Sequence, residues 1–212
     1  MILLGTSVSP FTRKVLMFAA EKGIVLEHRS LRPGNDDPDF RLASPFGKIP
    51  AFKDGDFTLA DSTAIVAYLE AKFPNPPLIP TEPRARAKAI WFEEMSDTVM
   101  HPTGRKIFFN RVLMPRLMQK PGDEARASEV ETKELPPIFA YLESVIPVSG
   151  FLVDNTLTIA DISIVNQLVN LTYSGTRIDA TKYPNLVTYY ATHSARPSIR
   201  GLIAADKSIL GI

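Results

Sequence analysis

A serine stands directly before a proline at the start of the first predicted helix. The segment reads Ser9-Pro10-Phe11, which is suited to Ser9 as the N-cap and Pro10 as the first helical residue. An ordinary N-cap is the simpler interpretation. A catalytic role is the alternative, because a hydroxyl and nearby backbone N–H groups at a helix N-terminus can hold a substrate thiol as its thiolate. Such a role needs no general base.

A free strand edge is predicted farther along the chain. Two β-rich runs within residues 51–60 are separated by Asp54-Gly55, which is a strong signal for a β-hairpin. Pro50 can open the first of these strands, because a proline lacking an N–H is tolerated there. The backbone groups of Ile49 would then stay free to pair with an extended peptide.

A helix N-terminus follows this hairpin. Asp61 and Ser62 begin an amphipathic helix with Ile65, Leu69 and Phe73 on one stripe. Both polar residues are good caps, and the helix start is itself suited to bind an anion. The sequence therefore predicts that a strand edge meets a positive helix end.

These groups are positioned by an alternation of strands and helices. Residues 2–4 predict a buried strand, residues 10–22 a helix that ends at Gly23, and residues 24–31 a second strand. A loop with at most a short helix, the hairpin and its helix follow. This order is compatible with a thioredoxin-like α/β domain over residues 1–78.

The rest of the chain indicates a helical domain. Residues 73–83 contain five prolines and predict a stiff linker. Residues 84–212 show helical periodicity without a convincing strand, which predicts an all-α domain. Prolines are expected to interrupt or bend its helices at His101-Pro102, Pro115 and Pro136-Pro137.

Composition narrows the possible functions. The 24 basic and 23 acidic residues give a net charge of +1, which implies no general attraction to nucleic acid or to an anionic membrane. The absence of cysteine removes disulfides, thiolate metal sites and a cysteine nucleophile. The 3 histidines lack ligand spacing, which argues against a metal. No signal peptide or membrane-spanning run is visible, so we expect a cytoplasmic protein.

Together these motifs resemble one family. Gly47-Lys48-Ile49-Pro50, followed by Leu-Ala-Asp-Ser-Thr-Ala-Ile at residues 59–65, is similar to the glutathione-binding half of the cytosolic glutathione S-transferases. Their usual pattern reads Gly-Lys-Val-Pro and then Glu-Ser-x-Ala-Ile. The resemblance covers nearly the whole chain, which looks like a bacterial member. It implies the glutathione S-transferase fold, an α/β thioredoxin-like N-terminal domain plus an all-α C-terminal helical domain.

The resemblance also assigns roles to the first candidate residues. Ser9 in Ser-Pro-Phe resembles the active serine of the tau class, where the omega class carries cysteine. Some serine classes use an earlier hydroxyl, which here is Ser7. Lys48 would contact the glycyl carboxylate of glutathione, and the backbone of Ile49 would pair with its cysteinyl residue. Pro50 would be cis.

The helix start after the hairpin would bind the other end of glutathione. Its γ-glutamyl group is a zwitterion, so Ser62 suits its carboxylate and Asp61 its ammonium group. The family commonly has glutamate in place of Asp61, so one methylene of reach is lost. Many members also carry a basic residue in the loop at residues 34–37, where this chain has none. Thr158-x-x-Asp161 is similar to the family's stabilising capping box.

The resemblance implies a glutathione transferase active in detoxification. It would hold glutathione as a co-substrate thiolate and add it to a small hydrophobic electrophile, without a metal, as a homodimer. Candidate residues for the electrophile pocket are Phe11, Met95, Val99 and Phe108. Two alternatives stay open, a glutathione-binding regulatory or scaffold protein with little turnover and a glutathione-dependent isomerase or dehalogenase. The Ser-Ser-Cys run typical of maleylacetoacetate isomerases is absent.

Overall fold

A four-stranded sheet organises the first of two units. The computed structural model describes residues 1–212, which divide into Met1–Leu78 and Ile79–Ile212. The strands are β1 (Ile2–Leu4), β2 (Glu27–Arg29), β3 (Ala51–Asp54) and β4 (Phe57–Ala60). Their spatial order is β2-β1-β3-β4, with β1 parallel to β2 and β3 antiparallel to both of its neighbours. This mixed sheet confirms the thioredoxin-like prediction.

Three helices accompany the sheet, namely α1 (Pro10–Glu21), α2 (Pro38–Ala43) and α3 (Ser62–Lys72). Gly23 has φ +68°, as expected for the left-handed residue that ends α1. The predicted hairpin is confirmed by the pairing of β3 with β4. The prediction of a strand over residues 24–31 is too long, because β1 offers only Ile2–Leu4 as partners.

A buried ion pair ties the end of α1 to the chain that follows α3. The Nζ atom of Lys22 lies 2.6 Å from the carboxylate of Glu70 and 2.5 Å from the carbonyl oxygen of Pro76. Glu70 also accepts a hydrogen bond from the backbone N–H of Leu78. Residues 73–82 form no helix or strand, so these contacts hold an otherwise irregular segment against the first unit.

The second unit is entirely helical apart from one isolated bridge between Val153 and Thr156. Its α-helices are α4 (Pro83–Met95), α5 (His101–Phe108), α6 (Glu124–Glu129), α7 (Leu135–Val145), α8 (Ile159–Tyr173), α9 (Pro184–Ser194) and α10 (Pro197–Leu210). Every residue of α8 except Thr172 is buried, which confirms it as the core helix. No helix in either unit combines the length and hydrophobicity that crossing a bilayer requires.

Prolines widen the helices of this unit. The predicted interruption at His101-Pro102 is wrong, because the backbone stays helical from α4 through a π-helical stretch, Ser96–Met100, into α5. A proline ring clashes with the carbonyl four residues before it, and a wider turn relieves that clash. A second π-helical stretch contains Pro115. A third, Val130–Glu134, precedes Pro136-Pro137, and the backbone stays helical from α6 through it into α7, so the helix is widened there and not split.

The start of α8 is held by a fully buried carboxylate. Asp161 accepts hydrogen bonds from the backbone N–H groups of Thr158 and Leu152, each at 3.0 Å. The hydroxyl of Tyr189 also donates to it, at 3.1 Å. The predicted capping box is therefore confirmed. Burial raises the pKa of Asp161, and its hydrogen-bond donors oppose that rise.

We expect Asp161→Ala to lower the free energy of unfolding by more than about 2 kcal/mol. The substitution leaves two buried N–H groups and a buried hydroxyl without their acceptor, and each such group costs about 1–3 kcal/mol. Asp123 provides a matched control, because it caps the exposed start of α6 through a single 2.8 Å bond from the N–H of Arg126. Asp123→Ala should cost only about 0.5–2 kcal/mol. Equal losses in urea unfolding would contradict the role of Asp161.

Candidate functional site

The register of the strands brings three polar segments to one end of the sheet. Leu4 of β1 pairs with Ala51 of β3, which in turn pairs with Ala60 of β4. The chain leaves β1 and β4 at this end and enters β3 there. The loop before α1, the segment before β3 and the start of α3 therefore all lie beside one another.

Ser9 stands at the N-cap position of α1 but does not cap it. Its backbone is extended, Pro10 is the first helical residue, and its side chain makes no cap hydrogen bond. The first turn of α1 contains no acidic residue. The capping interpretation of the Ser9 hydroxyl is therefore wrong, and this hydroxyl is left beside a positive helix end.

Ser7 is less accessible than Ser9. Ser7 is only 5% exposed, whereas Ser9 is half-buried. The carbonyl oxygen of Ser7 accepts a 3.2 Å hydrogen bond from the guanidinium of Arg13, which is fully buried. The loop before α1 is thus fastened from within at Ser7, and Ser9 is the hydroxyl nearer to solvent.

The segment before β3 presents an unpaired strand edge. The Ser44 hydroxyl donates to the carbonyl oxygen of Lys48 at 2.7 Å, and the Gly47 N–H donates to the Ser44 carbonyl at 3.0 Å. The Ile49–Pro50 peptide bond is cis, as the resemblance implies. Neither backbone group of Ile49 makes a hydrogen bond within the chain. Both can pair with an extended peptide.

Gly5 allows this segment to approach the loop before α1. Its φ is +147°, and a Cβ atom there would lie 2.7 Å from the Thr12 hydroxyl and 3.0 Å from the Cβ of Ile49. Only glycine satisfies both the backbone conformation and the close contact. The end of β1 therefore packs directly against the free edge.

Asp61, rather than Ser62, caps α3. The Asp61 carboxylate accepts hydrogen bonds from the N–H groups of Thr63 at 2.9 Å and Ala64 at 3.3 Å. Its φ is +81°, a strained value for a residue that is not glycine. Ser62 is the first helical residue and is 3% exposed. The α3 N-terminus thus offers a hydroxyl, a carboxylate and helix N–H groups.

Sequence reasoning missed two residues that join the helix starts. Lys14 of α1 is 1% exposed, and its Nζ lies 3.4 Å from the Thr63 hydroxyl of α3. Lysine is almost never fully buried, so its place near the start of α1 gave no signal of this contact. The one available signal was the run Thr12-Arg13-Lys14 itself. Three consecutive polar residues on a helix that packs against a sheet cannot all face solvent, so at least one of them had to be buried.

The electrophile pocket stays a prediction. Phe11 is half-buried in the first unit. In the second unit, Met95 and Phe108 are buried, whereas Val99 is 46% exposed. No group of three or more acidic or histidine side chains is arranged to hold a metal ion.

Two family models match the chain. Residues 3–77 match the N-terminal domain of glutathione S-transferases, and residues 110–206 match the C-terminal domain. Glutathione S-transferase F6 of Arabidopsis thaliana is 29% identical over 204 residues, which cover 94% of this chain and 97% of that protein. Elongation factor 1-gamma of Schizosaccharomyces pombe is 30% identical, and the match covers 91% of this chain but 46% of that protein.

The fold is also shared with solved structures. The theta class glutathione S-transferase from Xanthomonas axonopodis pv. citri, solved with glutathione bound, is 25% identical to this chain. It superposes with a TM-score of 0.80, covering 95% of this chain and 96% of that one. The two-part architecture is therefore that of this family.

We expect Gly5→Ala to lower the free energy of unfolding by about 1–3 kcal/mol, because the added methyl group meets two packed neighbours. Gly23→Ala is the control. Gly23 also has positive φ, but a Cβ there would meet nothing within 4 Å, so its cost should be only about 1 kcal/mol for the left-handed backbone. Urea unfolding of both variants measures the difference, and a Gly23→Ala loss as large as that of Gly5→Ala would contradict the close packing.

Proposed function

This chain belongs to the glutathione S-transferase family, and from that premise we propose that it binds glutathione at the described end of the sheet and activates its sulfur. The sulfur would be held as a thiolate beside Ser9 and added to a small hydrophobic electrophile. Phe11, Met95, Val99 and Phe108 are the proposed lining of the electrophile pocket. A cytoplasmic location and a Ser-Pro-Phe motif of tau-class type are parts of the same proposal.

One observation carries the proposal. A hydroxyl that caps nothing, an unpaired strand edge and a helix N-terminus lie at the same end of one sheet. Glutathione has a thiol in its middle residue, a peptide backbone around that residue and charged groups at both ends. The hydroxyl suits the thiol, the strand edge suits the peptide backbone, and the helix N-terminus suits a charged end.

Each binding residue has a distinct proposed task. The backbone of Ile49, beside the cis Pro50, pairs with the cysteinyl residue as an added strand. Lys48, which has no carboxylate partner within the chain, binds the glycyl carboxylate. Ser62 and the first N–H groups of α3 bind the γ-glutamyl carboxylate, and Asp61 binds its ammonium group.

Activation of the sulfur has a definite energetic requirement. A free thiol has a pKa of about 8.5, so little of it is thiolate at neutral pH. Lowering that pKa by about two units requires about 2.7 kcal/mol of selective stabilisation of the thiolate. A hydrogen bond to a charged group contributes about 1.5–3 kcal/mol, and an exposed helix dipole adds about 0.3–1 kcal/mol. The Ser9 hydroxyl and the α1 N-terminus are together sufficient.

A scaffold role with little turnover is the second candidate. It is favoured by the similarity to elongation factor 1-gamma, a relative named as an elongation factor and not as a transferase. Turnover of a chlorinated aromatic probe with glutathione separates the two functions. An enzyme conjugates the probe, whereas a scaffold binds glutathione without conjugating it.

The proposed protein is a homodimer. The first unit exposes apolar side chains that a second copy can cover, notably Phe46 at 87% and Leu42 at 65% exposure. In sedimentation equilibrium we expect about twice the 23.5 kDa of one chain and a shift toward the monomer for Phe46→Ser. Val25 is 88% exposed, and Val25→Ser is the matched control that should stay dimeric. A wild-type protein that sediments as a monomer would contradict the proposed homodimer.

The activation step is tested by ultraviolet titration of bound glutathione. Ser9→Ala should raise the pKa of the bound thiol by about one to two units, as expected for the loss of one hydrogen bond to a charged group. Glutathione affinity should change little, because the hydroxyl contacts only the sulfur, while the rate of conjugation at neutral pH should fall.

Ser7→Ala is the matched control for this titration. If Ser7→Ala alone moves the pKa, then Ser7 carries the active hydroxyl. If neither substitution moves it, the chain binds glutathione without activating it through a serine, and the enzymatic proposal fails.

A further inference from the structure

Two buried lysines lie on or next to helix α1, Lys14 within it and Lys22 directly after it. Lys22 pairs with the carboxylate of Glu70 at 2.6 Å. Lys14, near the start of α1, is 1% exposed and directs its Nζ toward the Thr63 hydroxyl at 3.4 Å. Burying an ammonium group is costly unless it is hydrogen-bonded or paired. Lys22 also donates to the carbonyl oxygen of Pro76, in the irregular segment after α3, whereas Lys14 contacts the first turn of α3.

The contact of Lys14 continues into the groups that cap α3. Thr63 follows Ser62 directly in the chain, and the Thr63 N–H donates to the Asp61 carboxylate at 2.9 Å. A single residue thus accepts the Lys14 hydrogen bond through its side chain and donates its backbone N–H to the capping carboxylate of Asp61. Asp61 holds a strained backbone with φ +81°, and such a conformation persists only when its surroundings hold it.

We propose that Lys14 is a positioning residue for the γ-glutamyl end of glutathione. By holding Thr63, Lys14 orients the first turn of α3 and with it the Ser62 hydroxyl and the helix N–H groups. This inference rests on the proposed function, since it presupposes that glutathione binds there.

The role of Lys14 differs from a general contribution to stability. A residue that only stabilises the fold affects every ligand of the site equally. A residue that orients the α3 start affects only ligands that carry a γ-glutamyl group. Two ligands that differ in this group alone therefore separate the two roles.

The experiment measures calorimetric affinities for S-hexylglutathione and for S-hexylcysteinylglycine, which lacks the γ-glutamyl residue. Lys14→Met and Thr63→Val should each weaken S-hexylglutathione binding about five- to tenfold, less than for a short charge-assisted hydrogen bond because the contact between Nζ and the hydroxyl is 3.4 Å long. Binding of S-hexylcysteinylglycine should change less than about twofold. The double variant should bind about as well as Lys14→Met alone, because both substitutions remove the same contact.

Three further variants complete the design. Ser62→Ala is the positive control and should also weaken only the γ-glutamyl ligand. Thr63→Ser keeps the hydroxyl and should restore most of the affinity that Thr63→Val loses. Lys133→Met is the matched lysine control, because the Lys133 side chain is 72% exposed in the second unit.

The outcomes are distinguishable. If the wild-type protein binds neither ligand, the proposed function fails and the role of Lys14 fails with it. If the wild type binds but Lys14→Met and Thr63→Val bind both ligands normally, only the role of Lys14 is overturned. Equal weakening of both ligands, or additive losses in the double variant, likewise overturns it. Failure of Lys14→Met to fold leaves Thr63→Val as the deciding variant.

Discussion

The antiparallel register of β3 is the constraint on which the candidate site depends. Because Leu4, Ala51 and Ala60 lie side by side across the sheet, three segments that are distant in the chain turn at the same end. A shift of one residue would turn every side chain of β3 to the opposite face. Phe52 is fully buried in the observed register, so burial of this ring opposes such a shift. The same strand register therefore determines both the buried core of the first unit and the alignment of the three polar segments at the end of its sheet.

The site is assembled where the backbone departs from regular structure. Gly5 and Asp61 both have positive φ, and the peptide bond before Pro50 is cis. At the cis bond, both backbone groups of Ile49 are left without a partner in the chain. Regular elements surround them and hold them in place. This division is typical of binding sites, in which a rigid scaffold carries irregular, functional segments.

In the helical unit, the helices stay continuous although they contain several prolines. Its π-helical stretches accompany Pro102, Pro115 and the Pro136-Pro137 pair, and they absorb the missing N–H groups and the bulk of the rings. The buried Asp161 then joins the start of α8 to the loop at Leu152 and to Tyr189 of α9. A few polar contacts inside an apolar core therefore decide how these helices are joined.

Local patterns in the sequence determined the elements whose hydrogen bonds are themselves local. The hairpin followed from Asp54-Gly55, the end of α1 from Gly23, and the start of α8 from Thr158 and Asp161, because each signal acts within a few residues. The family motif predicted the fold and the candidate binding residues, and the cis bond at Pro50 agrees with it.

Tertiary structure decided what depends on neighbours distant in the chain. The length of β2 was set by its three partners in β1, and the helix at Pro102 continued through a wider turn that relieves the clash of the proline ring. Ser9 has the residue type and position of a cap but does not use its hydroxyl for one. The burial of Lys14 against Thr63 joins residues 49 positions apart. Propensities and spacings carry no information about such contacts, because they arise only when separate elements pack together.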